Sequence, residues 1–312
     1  MEIQVKHLTK FFRKTPALQD VSFTIPSGSV YGFVGPNGAG KTTAIRIMAG
    51  LEEPDSGDVF YDRISAVQYP EQALRFIGFM PDTLPDSMEM RVWEYLDFFA
   101  RAYGLTGQAK TDAMLRAGEL TNLENLPERF LSELSKGMKQ QVSLARVLLH
   151  DPAVLLLDEP AAGLDPRARI QLRECLRKLA TGGKTILISS HILSELEDIA
   201  DGVIIIEKGK LVKSGGIQEL NQGLKTSGFC RVILSFPTAA ATLLPRLREF
   251  SFAETAEIHS PKQILLAVRG GETEFSGAMA ELFSAGLPII GMTRPDYGLE
   301  GVFLNTTKGE VQ

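Results

Sequence analysis

Long apolar runs, paired cysteines and an excess of positive charge are all missing from this sequence. Its longest apolar stretches are typified by AVLLL at 153–157, far short of the roughly 18 residues that cross a bilayer as a helix, so no membrane span is expected. The only two cysteines, Cys175 and Cys230, lie far apart and define no disulfide or zinc framework, which points to a reduced, cytosolic chain. The opening MEIQVKHLTK has no apolar core behind a basic start, so no signal peptide is expected. With 33 Lys and Arg against 38 Asp and Glu, the net charge is −5. A phosphate backbone would on average be repelled, and no nucleic acid is expected as a partner.

What is present is a globular composition. Hydrophobic residues make up 44%, enough to bury a core and to exclude a disordered chain. At 312 residues, two domains are the expectation. Residues 1–215 alternate short apolar strands with longer helical stretches, an α/β pattern. IQVKHLTKFF and ALQDVSFTIPSGS alternate apolar and polar positions, as antiparallel strands beside a main sheet do. SVYGFVG, AVLLLD and KTILISS are near-continuous apolar runs, as in parallel strands covered on both faces. GVIIIEKGKLVKSG reads as a hairpin turning near Lys208-Gly209. Residues 83–150 read as a mainly helical subdomain, with Trp93, Leu96, Ala100 and Tyr103 on one stripe, expected to face a core. After Gly215-Gly216 the order becomes βαββαβ, a ferredoxin-like α+β domain over 216–312. Charge does not set it apart: it holds 8 basic and 10 acidic residues.

The strongest local signal is GPNGAGKTT at 35–43. It fits G-x-x-x-x-G-K-[ST] and sits between an apolar strand and a helix. By chance the pattern would occur in about 2% of chains with this glycine content; the alternative is a surface glycine turn. Along Gly35, Pro36, Asn37, Gly38, Ala39 and Gly40, backbone N–H groups can turn inward around phosphate oxygens, and the helix opening at Lys41, Thr42 and Thr43 adds partial positive charge. In such a loop Lys41 bridges the β- and γ-phosphates and the Thr42 hydroxyl sits on magnesium. VLLLDEP at 154–160 ends an apolar strand in two carboxylates. Asp158 would hold magnesium, and Glu159 could polarise a water toward the γ-phosphate. His191 closes KTILISS at the edge where ligands gather in open α/β sheets, although a lone histidine at a strand end is more often structural.

LSKGMKQQ at 134–141 supplies the context. Leu134, Ser135 and Gly137 resemble the LSGGQ signature of the ATP-binding-cassette ATPases, and the order of phosphate loop, signature, VLLLDEP, AAGLDP at 161–166 and SSH ending at His191 is that family's order. The resemblance covers about residues 1–215. It implies a phosphate-loop NTPase core sheet with an antiparallel β-subdomain and a helical subdomain. It also implies ATP and Mg2+ as cofactors, Phe12 stacking on adenine, and Asp165 in a loop communicating between two sites. Ser135 and Gly137 would contact the γ-phosphate of nucleotide held by a second, expectedly identical ATPase subunit in a head-to-tail dimer. Four positions depart from the family's pattern: Asp82 where many members carry glutamine, Ala162 where serine is common, and Lys136 and Met138 in the signature. Asp82 is carried over as a ligand reaching magnesium through water.

The implied activity is ATP hydrolysis in a multi-subunit transporter whose pore is a separate membrane permease, placing the chain at the cytoplasmic face of the cell membrane. LEGVFLNTT at 299–307, LSKGMKQ and RVWEYLDFFARAYG resemble the export-type branch. A soluble cassette ATPase acting on ribosomes or DNA is the alternative, although a single phosphate loop without sustained heptads speaks against it. A nucleotide kinase or GTPase would complete its site without the signature. Residues 88–104 carry more aromatics than one stripe can bury, so a permease helix is expected to dock beside Asp82, with Tyr95 and Phe98 among its contacts; the alternative, equally weighted, is a second core layer within the helical subdomain.

Overall fold

The computed structural model describes residues 1–82, 89–123, 127–191, 196, 199–217, 219–220 and 229–293. Two compact units form, one holding Met1–Ile217 and the other Gln218–Val302. The division falls two residues past the expected boundary because Gly215 and Gly216 still belong to a strand, paired with Val203 and Gly202.

In the first unit, β1 (Ile3–Phe12), β2 (Thr15–Ile25), β4 (Ser56–Tyr61) and β5 (Ile64–Ser65) form an antiparallel sheet in the order β2-β1-β4-β5. β1 starts by alternating: Ile3 and Val5 are buried while Gln4 and Lys6 are not, as expected of a sheet covered on one face. The central sheet has six strands. β3 (Val30–Val34), β6 (Ile77–Met80), β7 (Val154–Leu157), β8 (Thr185–Ser190) and β9 (Gly202–Glu207) run parallel, and β10 (Lys210–Gly216) closes one edge as a hairpin. Their order is β10-β9-β3-β8-β7-β6. Every residue of β3, β7 and β8 is buried, because both faces are covered; that is why these strands read as unbroken apolar runs. The hairpin turns at Lys208 and Gly209, both at positive φ, the conformation that matches strand twist in a two-residue turn.

α1 (Lys41–Met48) follows β3, and α2 (Pro70–Leu74) precedes β6. The helical region comprises α3 (Val92–Ala102), α4 (Gly107–Thr121), a 3-10 turn at Leu131–Glu133 and α5 (Lys136–Leu148); α6 (Pro166–Thr181) leads from β7 to β8. Among the described residues no helix is long and apolar enough to cross a membrane.

The stripe expected to face a core is only half buried. Leu96 and Ala100 are inside, whereas Trp93 and Tyr103 are 41% and 40% exposed. Trp93 instead borders an apolar groove of about 550 Å³ between α3 and α4, with Leu96, Met114, Leu115 and Leu123. Tyr95, expected at a docking surface, is 2% exposed and its ring lies 4.8 Å from that of Phe99. Phe99 in turn stacks under the Arg146 guanidinium of α5. The helix turns its Tyr95 side to α5, which fills that space, and leaves Phe98 outside at 59% exposure. Residues 83–88, which follow Asp82, and the stretch 299–307 lie outside the described residues.

In the second unit, β11 (Phe229–Ser235), α7 (Ala240–Arg248), β12 (Ala253–Ser260), β13 (Gln263–Arg269), α8 (Glu272–Ser284) and β14 (Gly291–Thr293) follow one another. The strands pair antiparallel in the order β12-β13-β11-β14. This is the split βαβ arrangement. Its core gathers Val232, Leu234 and Phe236 with Leu266, Leu247 and Leu282, alternate residues of the strands turned toward the helices.

Candidate functional site

The carboxyl ends of β3, β7 and β8 meet at one edge of the central sheet, where open α/β folds bind ligands. Between β3 and α1 the loop turns back on itself, Ala39 N–H donating to the Pro36 carbonyl at 3.1 Å. Gly40 enters α1 with φ +105, and a Cβ there would stand 2.5 Å from the Ala17 carbonyl oxygen, so only glycine fits. Lys41 is 6% exposed and folds into its own loop, Nζ donating to the carbonyls of Gly35 at 2.7 Å and Pro36 at 3.2 Å. Burial lowers the Lys41 pKa, while the Glu159 and Asp158 carboxylates push it back up. A desolvated ammonium in a glycine loop at a helix N-terminus suits an anionic ligand rather than a neutral one.

Facing it, Asp158 is buried just beyond β7. Its Oδ1 accepts from the Ser189 hydroxyl at 2.6 Å and lies 3.4 Å from Thr42 Oγ1. Ser189 also accepts from the Glu159 N–H at 2.8 Å. Glu159 sits at φ +47, a strained backbone for a non-glycine residue, held here by that hydrogen bond. Its carboxylate spans the site: Oε1 is 3.9 Å from Lys41 Nζ, and Oε2 is 2.8 Å from His191 Nδ1. Ser189 was not singled out by the sequence. Its signal was a polar side chain in a wholly buried strand, two positions before His191.

These groups open on a cleft of about 590 Å³. Phe12, Asn37, Gly38, Ala39, Gly40, Lys41, Thr42, Thr43, Asp82, Glu159 and His191 all line it, with Lys136 and Ala162. Phe12 is half exposed at one wall, with Lys10 Nζ 5.4 Å from its ring centroid. Asp82 stands just past β6, where its backbone carbonyl accepts from Gln140 Nε2 of α5 at 2.9 Å. Ser135, Gly137 and Asp165 do not line the cleft. Ser135 caps α5, accepting from the Met138 N–H, and Asp165 caps α6, accepting from the Ala168 N–H. Gly137 faces a narrow crevice with Leu164 and Ala168 instead.

Thr42 and Asp158 offer two hard oxygens side by side, a donor set that fits magnesium completed by substrate phosphates and water. Among the described residues no cluster of three or more His, Cys, Asp or Glu could hold a metal alone, so the fit needs a phosphate to complete it.

Comparison with known proteins agrees with this geometry. The ABC transporter family model matches residues 18–162, the stretch that runs from β2 through the phosphate loop and signature to Glu159. The chain is 36% identical over 249 residues to the Nod factor export ATP-binding protein I of Burkholderia lata, covering 80% of this chain and 81% of that protein. To the protein of the same name in Burkholderia orbicola it is 33% identical over 314 residues, covering 99% and 98%. A solved ATP-binding subunit of an ABC transporter superposes with a TM-score of 0.64 at 30% identity, covering 72% of this chain and 93% of that one. With a buried lysine in a glycine loop, a carboxylate pair opposite it and relatives matched nearly end to end, this chain belongs to the ATP-binding subunits of ABC transporters and is an ATPase.

Proposed function

We propose that the chain powers an exporter: it binds ATP with Mg2+ in the cleft below Phe12, dimerises head-to-tail with a second copy, and drives a separately encoded permease from the cytoplasmic face of the membrane. The observation that carries this is the near full-length likeness to export ATP-binding proteins, since a match over both units is more specific than a shared cassette.

In this reading Phe12 stacks on the base, and the N–H groups of residues 35–43 bind the phosphates with Lys41. Thr42 and Asp158 would hold magnesium together with Asp82, and the ion would supply charge neutralisation on the phosphates. Binding draws Lys41 Nζ off the Gly35 and Pro36 carbonyls, exchanging neutral acceptors for anionic ones. Glu159 takes a proton from the attacking water, and His191, bonded to its other oxygen, fixes the carboxylate's direction. Ser135 and Gly137, lying outside the cleft of their own chain, serve the nucleotide of the partner subunit, and Asp165 holds the start of α6 between the two sites. Loss of the γ-phosphate then loosens the dimer. A cytoplasmic helix of the permease seats in the groove beside Trp93 and Leu115, where aromatic and aliphatic anchors are already half desolvated.

Co-expression with a candidate permease tests this. The complex should be recovered from detergent-solubilised membranes and should load substrate into inside-out vesicles only with ATP. Recovery with ribosomes, or ATP-dependent depletion from inside-out vesicles, would overturn the exporter reading.

A further inference from the structure

The lysine that replaces glycine in the signature does not stay with the signature. Lys136 opens α5, next to the Ser135 cap, yet it lines the phosphate cleft of its own chain together with Lys41, Glu159, Asp82 and His191. Its route there is over Gly163. A Cβ on Gly163 would stand 2.7 Å from Lys136 Nζ and 3.3 Å from its Cδ and Cε. Gly163 also has φ +70, a backbone that side-chain-bearing residues rarely adopt. The bare Cα of Gly163 is therefore the floor on which the lysine stem lies. Beside it Ala162 presents only a methyl group to the cleft, so no larger side chain stands in the way. Among the described residues no carboxylate pairs with the Lys136 amine. It is an exposed cation on the lining of an anion site.

We propose that Lys136 acts in cis: its ammonium binds the terminal phosphate of the nucleotide held by its own chain, while Ser135 and Gly137 remain turned to the partner's nucleotide. The signature then joins both sites. α5 receives the partner's phosphate at its N-terminus and, one residue on, reports the occupancy of its own cleft across Gly163. An ammonium paired with a triphosphate end contributes a charge-assisted contact that a diphosphate, lacking the outermost group, does not receive.

The inference rests on the cleft being the nucleotide site, which wild-type binding and its loss in Lys41→Ala check separately. The full chain is titrated calorimetrically with a non-hydrolysable ATP analogue and with ADP, at protein concentrations where sedimentation shows monomer. Lys136→Met, which keeps the stem on Gly163, should bind the ATP analogue about tenfold more weakly, the usual scale for a charged hydrogen bond, and ADP almost unchanged. Lys136→Arg should restore the difference. Unchanged affinity in the monomer would overturn the proposal, since a lysine acting only on the partner's nucleotide has nothing to bind there. Equal loss for ATP analogue and ADP would overturn it as well, because the lysine would then merely prop the Gly163 loop. In mixed dimers, pairing a Lys41→Ala subunit with a Lys136→Met subunit leaves the one intact phosphate loop without its own Lys136. ATP affinity at that site should fall; if it falls instead when both substitutions share one subunit, the lysine works in trans and the proposal fails.

Discussion

Glu159 and His191 meet side chain to side chain, Oε2 to Nδ1 at 2.8 Å, while the other Glu159 oxygen looks toward Lys41 Nζ at 3.9 Å. One carboxylate is thus aimed by a histidine on one side and a buried ammonium on the other. Glu159→Gln keeps the shape of this bridge and removes its basicity. ATP binding should persist and hydrolysis should fall by about 10²- to 10⁴-fold, the scale for losing a general base. His191→Ala should slow turnover too, but leave the nucleotide affinity of the monomer unchanged. Phosphate release and calorimetry measure the two effects; near-wild-type turnover in Glu159→Gln would remove that carboxylate from the chemistry.

Lys41→Ala should act on binding itself. The two loop carbonyls it occupies would lose a donor, and the phosphates would lose a desolvated cation. Charged hydrogen bonds of about 1.5–3 kcal/mol correspond to roughly 10- to 100-fold in affinity. Unchanged ATP affinity in a calorimeter would show that the phosphates bind elsewhere.

The two aromatics on α3 should behave in opposite ways. Tyr95→Ser removes a ring buried against Phe99 and α5 and should cost about 3–5 kcal/mol in denaturant unfolding. Phe98→Ser removes an exposed ring and should change stability by no more than about 0.5 kcal/mol. Similar losses from both would mean that the exposed face of α3 is covered in solution.

A pH dependence follows from His150. Its ring stacks on Tyr103 at 4.2 Å between centroids, and Nε2 lies 3.1 Å from the Ile77 carbonyl oxygen. Burial lowers its pKa, only partly opposed by that carbonyl. The unfolded chain therefore takes up the proton first as pH falls. The stabilisation is complete above the ordinary histidine pKa of about 6.5 and is lost on acidification toward the lower folded value. Urea midpoints measured between pH 8 and pH 5 should decline, and His150→Gln should flatten that decline. An unchanged slope in the variant would assign the acid sensitivity to other groups.

Much of the fold was legible because its causes are local. Strands covered on both faces must be apolar throughout, and β3, β7 and β8 could be read from that alone. The phosphate loop is a matter of neighbouring residues: Gly40 must adopt a backbone that only glycine tolerates there, and α1 must begin at Lys41. Ser135 announces its helix because a cap bonds to an N–H three residues away, and Asp165 caps α6 by the same short-range contact. The βαββαβ order of the second unit follows from the same short-range periodicities. What the chain could not declare locally was decided by contacts between distant segments. Ser189 ties Asp158 and Glu159 together only because β7 and β8 are neighbours in the sheet. Tyr95 is core and Trp93 is not because α5 lies against one side of α3 and α4 leaves a groove on the other. Lys136, one residue from the Ser135 cap, reaches the phosphate cleft because Gly163, 27 positions later, leaves room above its Cα. Side-chain identity sets what each of these groups can do. Tertiary packing alone determines which partner it meets, since that depends on distances the sequence separates by tens of residues.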